Sequence, residues 1–334
     1  MSTAMSTTAL SHNKFAWLLK REFWEYRGAF FWTPAITAAV LLVLVVCALV
    51  IAETTANRAG VSLNGINFGE VQKHLSEGDS AKLYAGLNIG LLSLGFPIGI
   101  ALFFVLFSYG IGALYNDRAD RSVLFWKSLP ISDAETVLAK VVAMAVIAPV
   151  FAIAAIIALD IGFLVIMSLW VLAHGVNPML LWSPTQLIAL WLKLVLLIPV
   201  NALWALPAIG WLLLVSSFVR SKPFLWAVAV PVVSGVLVSM FHLMNSLSLP
   251  NAWFWRNIVG RMLFSLVPGT WVDVADLRGF DHDDQLPEAF GNLLSLNSVG
   301  HLLTTPNFLI GVVAGIAMII AAIHFRRQRV ESFA

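Results

Sequence analysis

Six long apolar stretches dominate this sequence and limit the kinds of fold that it can adopt. They cover residues 34–52, 86–115, 141–172, 186–218, 223–244 and 308–325. A helix needs about 20 mostly apolar residues to cross the hydrocarbon core of a bilayer, so each stretch is long enough to span a membrane. Only 11% of the 334 residues are charged and 60% are hydrophobic. In soluble domains roughly 25% of the residues are charged and roughly 45–50% are apolar. We therefore predict an all-α polytopic membrane protein with six transmembrane helices.

The distribution of lysine and arginine predicts the orientation of these helices. With the N-terminus in the cytoplasm, 13 of the 20 basic residues fall in the four inner segments. Because basic residues near span ends stay on the cytoplasmic side, we predict that both termini are cytoplasmic. We divide the chain into a cytoplasmic tail with an interfacial helix at 1–33, a six-span region at 34–325 and a second cytoplasmic tail at 326–334. The six-span region includes an inner loop at 116–140 and large outer loops at 53–85 and 245–307.

Composition also excludes several kinds of function. The formal net charge is only +2, so the chain lacks the strong basic field with which proteins attract nucleic acid. Its single cysteine, Cys47, excludes an internal disulfide and a cysteine-rich metal site. The acidic run at 281–284 contains metal-ligand residue types, but adjacent residues do not converge on one ion without other partners. We interpret that run as a solvated loop and predict no metal site.

The segment at 14–32, ahead of the first predicted span, has the pattern of an amphipathic helix. One stripe of such a helix carries Phe15, Leu19, Phe23, Tyr26 and Phe30. Basic residues lie on other sides, which is typical of a helix in the inner membrane interface. A second stripe, nearly opposite, carries Trp17, Trp24 and Phe31. Two interpretations stay open: the rings pack on the protein's own spans, or they form a docking surface for a cytoplasmic partner.

The inner loop between the second and third predicted spans combines a charged turn, an apolar run and a helix start. Asp117, Arg118, Asp120 and Arg121 form the charged turn, and an apolar run at 123–126 and Pro130 follow. Ser132 and Glu135 have the spacing of a capping box, which predicts a helix that continues into the third span. This pattern favours a rigid lever exposed to the cytoplasm, and an ordinary connection between spans is the alternative.

This loop resembles the corresponding loop of ABC exporter permeases of the ABC transporter type 2 family. The matching residues are Asp117-Arg118, Asp120-Arg121-Ser122, Leu129-Pro130-Ile131-Ser132 and Lys140. Asn116 departs from the pattern, because relatives more often have glutamate there. The resemblance extends to the six spans, the N-terminal interfacial helix and the large outer loop before the last span. It implies the permease subunit of an ATP-driven exporter in the bacterial inner membrane, working by alternating access with a second permease chain that is identical or related.

The resemblance also implies a partner and a set of coupling residues. The sequence contains no G-x-x-x-x-G-K-[ST] motif for holding phosphates. ATP and Mg²⁺ are therefore expected on a separate nucleotide-binding ATPase subunit, with no cofactor and no enzymatic activity on this chain. The residues expected to contact that subunit are Asp117, Arg118, Asp120, Arg121, Phe125 and Trp126 in the loop, with Arg21 and Trp24 in the N-terminal helix.

Three side chains at membrane depth are candidates for lining a transport pathway: Asp160, Asn201 and Trp204. Polar and ionisable groups are costly in a bilayer and often functional there. The alternatives are an aspartate that reaches water near a helix end and an amide that joins two helices. Because the predicted walls are almost wholly apolar, we expect a hydrophobic or amphipathic substrate.

Two questions stay open at the level of sequence. The first is whether the chain transports at all, because a membrane scaffold or immunity protein has the same layout. A secondary transporter is the third possibility, although we find no inverted pairing between the first and last three spans. The second question concerns the short apolar segment at 258–267, which is either a re-entrant or interfacial helix or a helix packed on the protein surface.

Overall fold

The computed structural model describes residues 3–59, 77–120, 122, 128, 130–175, 177–182, 184–244, 250–271 and 296–328. These residues form helices, turns and connecting segments, and no strand occurs among them. Six helices are long and apolar enough to cross a membrane, and we name them the first to sixth spans: Gly28–Arg58, Gly86–Ala119, Asp133–Ala173, Leu187–Phe218, Pro223–Met240 and Pro306–Gln328. The all-α prediction is therefore confirmed for the described residues, and the six predicted spans correspond to six helices that are long and apolar enough to cross a membrane. Their orientation stays a prediction.

The helices, as the structure has them, include short segments beside the spans. In chain order the α-helices are Thr3–Glu25, Thr33–Arg58, Glu77–Gly112, Tyr115–Ala119, Asp133–Val142, Ala148–Ala173, Pro184–Leu196, Ile198–Phe218, Pro223–Met240, Asn251–Phe254, Arg261–Phe264, Leu296–Thr304 and Pro306–Gln328. Among the described residues, three π-helical turns cover Gly28–Trp32, Ala143–Ile147 and Trp255–Gly260, and a 3₁₀ turn covers Pro178–Leu180. The last two π-helical turns continue directly from one helix into the next.

The third span begins where the sequence predicts it. Glu135 donates its backbone N–H to the Ser132 hydroxyl oxygen at 3.1 Å, and Ser132 donates its backbone N–H to the Glu135 carboxylate at 2.8 Å. These reciprocal bonds are a capping box, which satisfies amide groups that have no partner inside the helix. The predicted helix start after Pro130 is therefore confirmed.

The fourth span lies at the centre of the bundle. Its helix Ile198–Phe218 is buried along most of its length, including Ala208, Ile209 and Leu212. It meets the sixth span at two glycines: a Cβ on Gly315 would lie 2.6 Å from the carbonyl carbon of Leu206, and one on Gly210 would lie 2.6 Å from the Gly315 oxygen. The two backbones are therefore in direct contact, as small residues allow between membrane helices.

The first span contrasts with the fourth, because most of its side chains are exposed. Large aliphatic residues such as Val43 and Ile51 point away from the rest of the protein. Its contact with the third span includes Leu42, whose Cδ1 would lie 2.8 Å from a Cβ on Gly162. An exposed face of this composition is suited to contact with lipid.

Candidate functional site

Charged side chains from four separate parts of the chain meet at one end of the bundle. They are Glu22 of the N-terminal helix, Asp117 of the short helix Tyr115–Ala119, Asp133 and Lys140 near the start of the third span, and Arg326 near the end of the sixth. We call these five residues the ionic cluster. Their positions in the sequence are far apart, so the packing of the helices brings them together.

Glu22 is the most enclosed member of the ionic cluster, with 0% of its surface exposed. The Lys140 Nζ lies 3.3 Å from its Oε1, and the Tyr109 hydroxyl donates a hydrogen bond of 2.7 Å to its Oε2. The guanidinium of the adjacent Arg21 also pairs with this carboxylate. A buried carboxylate is costly unless it is paired and hydrogen-bonded, and these three partners satisfy it.

Asp117 and Arg326 join the loop to the ends of the third and sixth spans. Arg326 Nη1 lies 3.1 Å from Asp117 Oδ2, and its Nε lies 3.1 Å from Asp133 Oδ1. Lys140 Nζ is 3.8 Å from the same Asp117 oxygen. Arg326 also lies in the last turn of its helix, where a positive charge interacts favourably with the helix dipole. A displacement of Asp117 therefore acts directly on both spans.

The N-terminal helix presents negative charge beside the ionic cluster. Burial raises the pKa of Glu25 above its usual range, and the neighbouring Glu22 carboxylate raises it further. Burial also raises the pKa of Tyr26 to about 12, with added contributions from Glu25 and Glu22. Both shifts show that added negative charge is unfavourable beside the Glu22 carboxylate.

Arg118 holds the short helix against the fourth span. Its Nη2 donates hydrogen bonds to the backbone oxygens of Ser216, at 2.6 Å, and Val219, at 3.0 Å. In return, the Ser216 hydroxyl oxygen accepts from the backbone N–H groups of Leu114 and Tyr115, both at 2.9 Å. Arg118 is buried, so any contribution that it makes to coupling comes from fixing this helix in place.

Removing the Ser216 hydroxyl is expected to loosen this attachment. Ser216→Ala removes the acceptor of the buried Leu114 N–H and of the partly buried Tyr115 N–H. An unsatisfied buried donor costs about 1–3 kcal/mol. We expect a lower temperature of thermal unfolding in detergent. Ser217→Ala is the matched control, because the neighbouring buried hydroxyl donates only to Leu214 of its own helix. Equal losses in the two variants would contradict this role for Ser216.

The remaining residues predicted to couple to an ATPase differ in their exposure. Asp120 is exposed, and 54% of the surface of Trp24 is exposed, so both are available to a partner. Arg21 is partly buried and bound to Glu22 and Glu25. Arg121, Phe125 and Trp126 lie outside the described residues.

The two aromatic stripes of the N-terminal helix have different surroundings. In the first stripe, Phe23 stacks on Phe151 of the third span, with ring centroids 4.8 Å apart, and Tyr26 meets Tyr109 edge-on at 4.6 Å. In the second stripe, the rings of Trp17 and Trp24 are exposed. The first stripe therefore packs on the protein's own spans, and the second provides an open surface.

The three pathway candidates do not form one described site. Asp160 is 1% exposed, and the Trp191 indole N–H donates to its Oδ2 at 3.0 Å, which joins the third span to the fourth. Asn201 is buried, whereas Trp204 donates its indole N–H to the Thr270 hydroxyl at 3.0 Å. Among the described residues, no hydrogen bond joins Asp160 to Asn201 or Trp204. Their role in a pathway stays a prediction.

Sequence reasoning missed Glu22, Asp133 and Arg326 as members of the site. Glu22 was detectable, because it lies between Leu19 and Tyr26 on the first apolar stripe at helical spacing. A single charge within a buried stripe indicates a buried partner. The choice of Lys140 and Tyr109 as partners depends on contacts between distant segments, which the local pattern does not specify.

Comparisons with known proteins were made at three levels. No family profile, no curated protein and no solved structure matches this chain. Within the described ranges, no group of three or more His, Cys, Asp or Glu side chains is arranged to hold a metal ion.

Proposed function

We propose that this chain is the membrane-embedded permease subunit of an ATP-driven exporter. ATP and Mg²⁺ are held by a separate nucleotide-binding ATPase, and this chain supplies the path across the bilayer. The observation that supports the proposal best is the ionic cluster, which ties the loop after the second span to the N-terminal helix and to the ends of the third and sixth spans. A transporter driven from outside the membrane needs such a mechanical connection.

The cluster suits coupling because its contacts are directional and largely shielded from water. A push on the loop moves Asp117, whose carboxylate is shared by Lys140 and Arg326. Breaking either pair while its members stay buried is costly, so the loop and both spans move together. The exposed Asp120 and Trp24 lie beside the cluster in sequence and provide surfaces through which an ATPase applies force.

We further propose that the chain lies in a bacterial inner membrane, with both of its termini in the cytoplasm. Two permease chains, identical or related, surround a central pathway, which opens outward when the ATPases close on ATP. The exposed apolar side chains of the spans are consistent with contacts to lipid and to the second chain. The hydrophobic or amphipathic substrate remains part of this proposal, because the walls of the spans are almost wholly apolar.

Affinity purification of the full chain in mild detergent, followed by mass spectrometry and an ATPase assay, tests this proposal. We expect recovery of a nucleotide-binding subunit, and we expect less of it with Asp120→Ala and Trp24→Ala. Both changed residues are exposed, so the variants are expected to fold normally. Met179→Ala is the control, since this exposed residue lies in the predicted outer loop between the third and fourth spans.

Recovery of the chain without any ATPase, across a range of detergents and salt concentrations, would contradict the proposal. It would favour a scaffold or immunity protein, or a secondary transporter. Proton-dependent uptake or export by the chain alone in vesicles would then identify the secondary transporter.

A further inference from the structure

Arg261 is a buried cation that lies far in sequence from the ionic cluster. It belongs to the helical segment at 251–264, which packs on the fourth and fifth spans, and only 6% of its surface is exposed. Its Nη1 donates to the backbone oxygen of Asn307 in the first turn of the sixth span. The segment therefore packs against these two spans, which both of the alternatives predicted for it allow.

One edge of the Arg261 guanidinium has no acceptor. Its Nε and Nη2 are enclosed, and neither has a hydrogen-bond partner in the described part of the chain. In a guanidinium these two N–H groups point in the same direction and match the two oxygens of one carboxylate or phosphate. The unsatisfied edge is therefore the edge that arginine uses to bind an oxyanion side-on.

The charge of Arg261 persists at neutral pH. Burial lowers its pKa to about 10, which is still well above neutral. No carboxylate of a described residue forms an ion pair with it. A buried positive charge without a counter-charge is costly, and an added anion relieves that cost.

The surroundings of Arg261 hold the guanidinium in place. The Trp204 ring lies over it, with the ring centroid 4.1 Å from Cζ. Gly311 packs directly against the guanidinium, where a Cβ would overlap Nη1, Cζ and Nη2, so any larger residue displaces it. Trp204 is itself held by its hydrogen bond to Thr270 and its ring contact with Phe308. The guanidinium is therefore fixed between an aromatic ring and a glycine.

We propose that the Nε–Nη2 edge of Arg261 binds an oxyanion, the phosphate or carboxylate of a lipid headgroup or of a free anion. Three tryptophans, Trp253, Trp255 and Trp271, lie on or near the same segment. Indole rings favour the headgroup depth of a bilayer, where lipid phosphates are found. The proposal does not depend on the proposed transport function.

Native mass spectrometry of the purified full chain tests the site. The protein is incubated with phosphatidylglycerol, with phosphatidylcholine as the uncharged-lipid comparison, and separately with inorganic phosphate. The variants are Arg261→Gln, which removes the charge, and Arg261→Lys, which keeps the charge but lacks the two parallel N–H donors of the guanidinium. Arg256→Gln is the matched control, since it removes an exposed arginine from the same segment.

We expect the wild-type chain to retain anionic lipid or phosphate about tenfold more strongly than Arg261→Gln, with Arg261→Lys in between and Arg256→Gln unchanged. Retention of phosphatidylglycerol alone identifies a lipid headgroup as the ligand, and retention of inorganic phosphate as well identifies a general oxyanion site. Equal retention by the wild type, Arg261→Lys and Arg261→Gln would overturn the proposal. Arg261→Lys keeps the result interpretable if Arg261→Gln does not fold.

Discussion

Replacing Lys140 with methionine is expected to destabilise the protein by about 3–5 kcal/mol, because it leaves the buried Glu22 carboxylate without its cationic partner from another helix. Lys140 is 2% exposed and Glu22 is 0% exposed, so water does not take over the lost interaction. Asp117 loses a partner in the same variant. Thermal unfolding in detergent measures the loss, and Lys222→Met, at an exposed turn, is the control with an unchanged unfolding temperature.

A double variant separates the charge effect from a packing effect. In Glu22→Gln with Lys140→Met both buried charges are absent, so we expect the double variant to be more stable than Lys140→Met alone. Methionine fills a volume similar to that of the lysine stem, which keeps packing comparable. If the double variant were as unstable as the sum of the two single variants, the pair would be energetically independent and the ionic cluster would not act as a unit.

Gly315→Ala is expected to have the second large effect, because it inserts a methyl group between two helix backbones. The new Cβ would lie 2.6 Å from the Leu206 carbonyl carbon and 2.7 Å from its oxygen, so the fourth and sixth spans must separate. Overpacking of this kind costs about 1–3 kcal/mol or more. The expected result is a lower temperature of thermal unfolding in detergent.

Gly90→Ala is the matched control for this substitution. Gly90 also lies in a membrane-spanning helix, but nothing comes within 4 Å of a Cβ built on it. Because alanine favours a helix more than glycine does, we expect this variant to be as stable as the wild type or slightly more stable. Unchanged stability in Gly315→Ala as well would contradict the close contact between the fourth and sixth spans.

The sequence predicted those parts of the structure that local patterns control. The length and composition of the apolar stretches were sufficient for the six spans, since the requirement to cross a bilayer acts on each helix separately. The capping box at Ser132 and Glu135 depends on residues three apart, and it too was predicted correctly. The apolar stripe of the N-terminal helix was recognised, but it was assigned to the membrane interface, whereas Phe23 and Tyr26 pack on Phe151 and Tyr109.

The sequence did not predict contacts that join distant segments. Asp117 and Arg118 were both assigned to the surface for a partner, whereas Asp117 pairs with Arg326 and Lys140, and Arg118 binds backbone oxygens at the end of the fourth span. A charge followed by an apolar run looks the same in a sequence whether its partner is solvent, another chain or a distant helix. The close approach of Gly315 to Leu206 was missed for the same reason.

The proposed exporter differs from a scaffold protein in where a partner must bind. In the proposed mechanism the ATPase applies force at the exposed surface beside the ionic cluster, and the ion pairs of the cluster transmit it to the third and sixth spans. The N-terminal helix takes part, since Glu22 lies at the centre of the cluster. A scaffold protein requires the same ion pairs for stability, but it does not require an ATPase at this surface.

Site-specific photo-crosslinking in native membranes tests that claim most directly. A photoreactive residue is placed at Asp120 or at Trp24, both exposed beside the cluster, and at Val43, an exposed position on the first span, as the control. We predict crosslinks to a nucleotide-binding subunit from positions 120 and 24 and none from position 43. Crosslinks from neither 120 nor 24, in membranes where that subunit is present, would contradict the account.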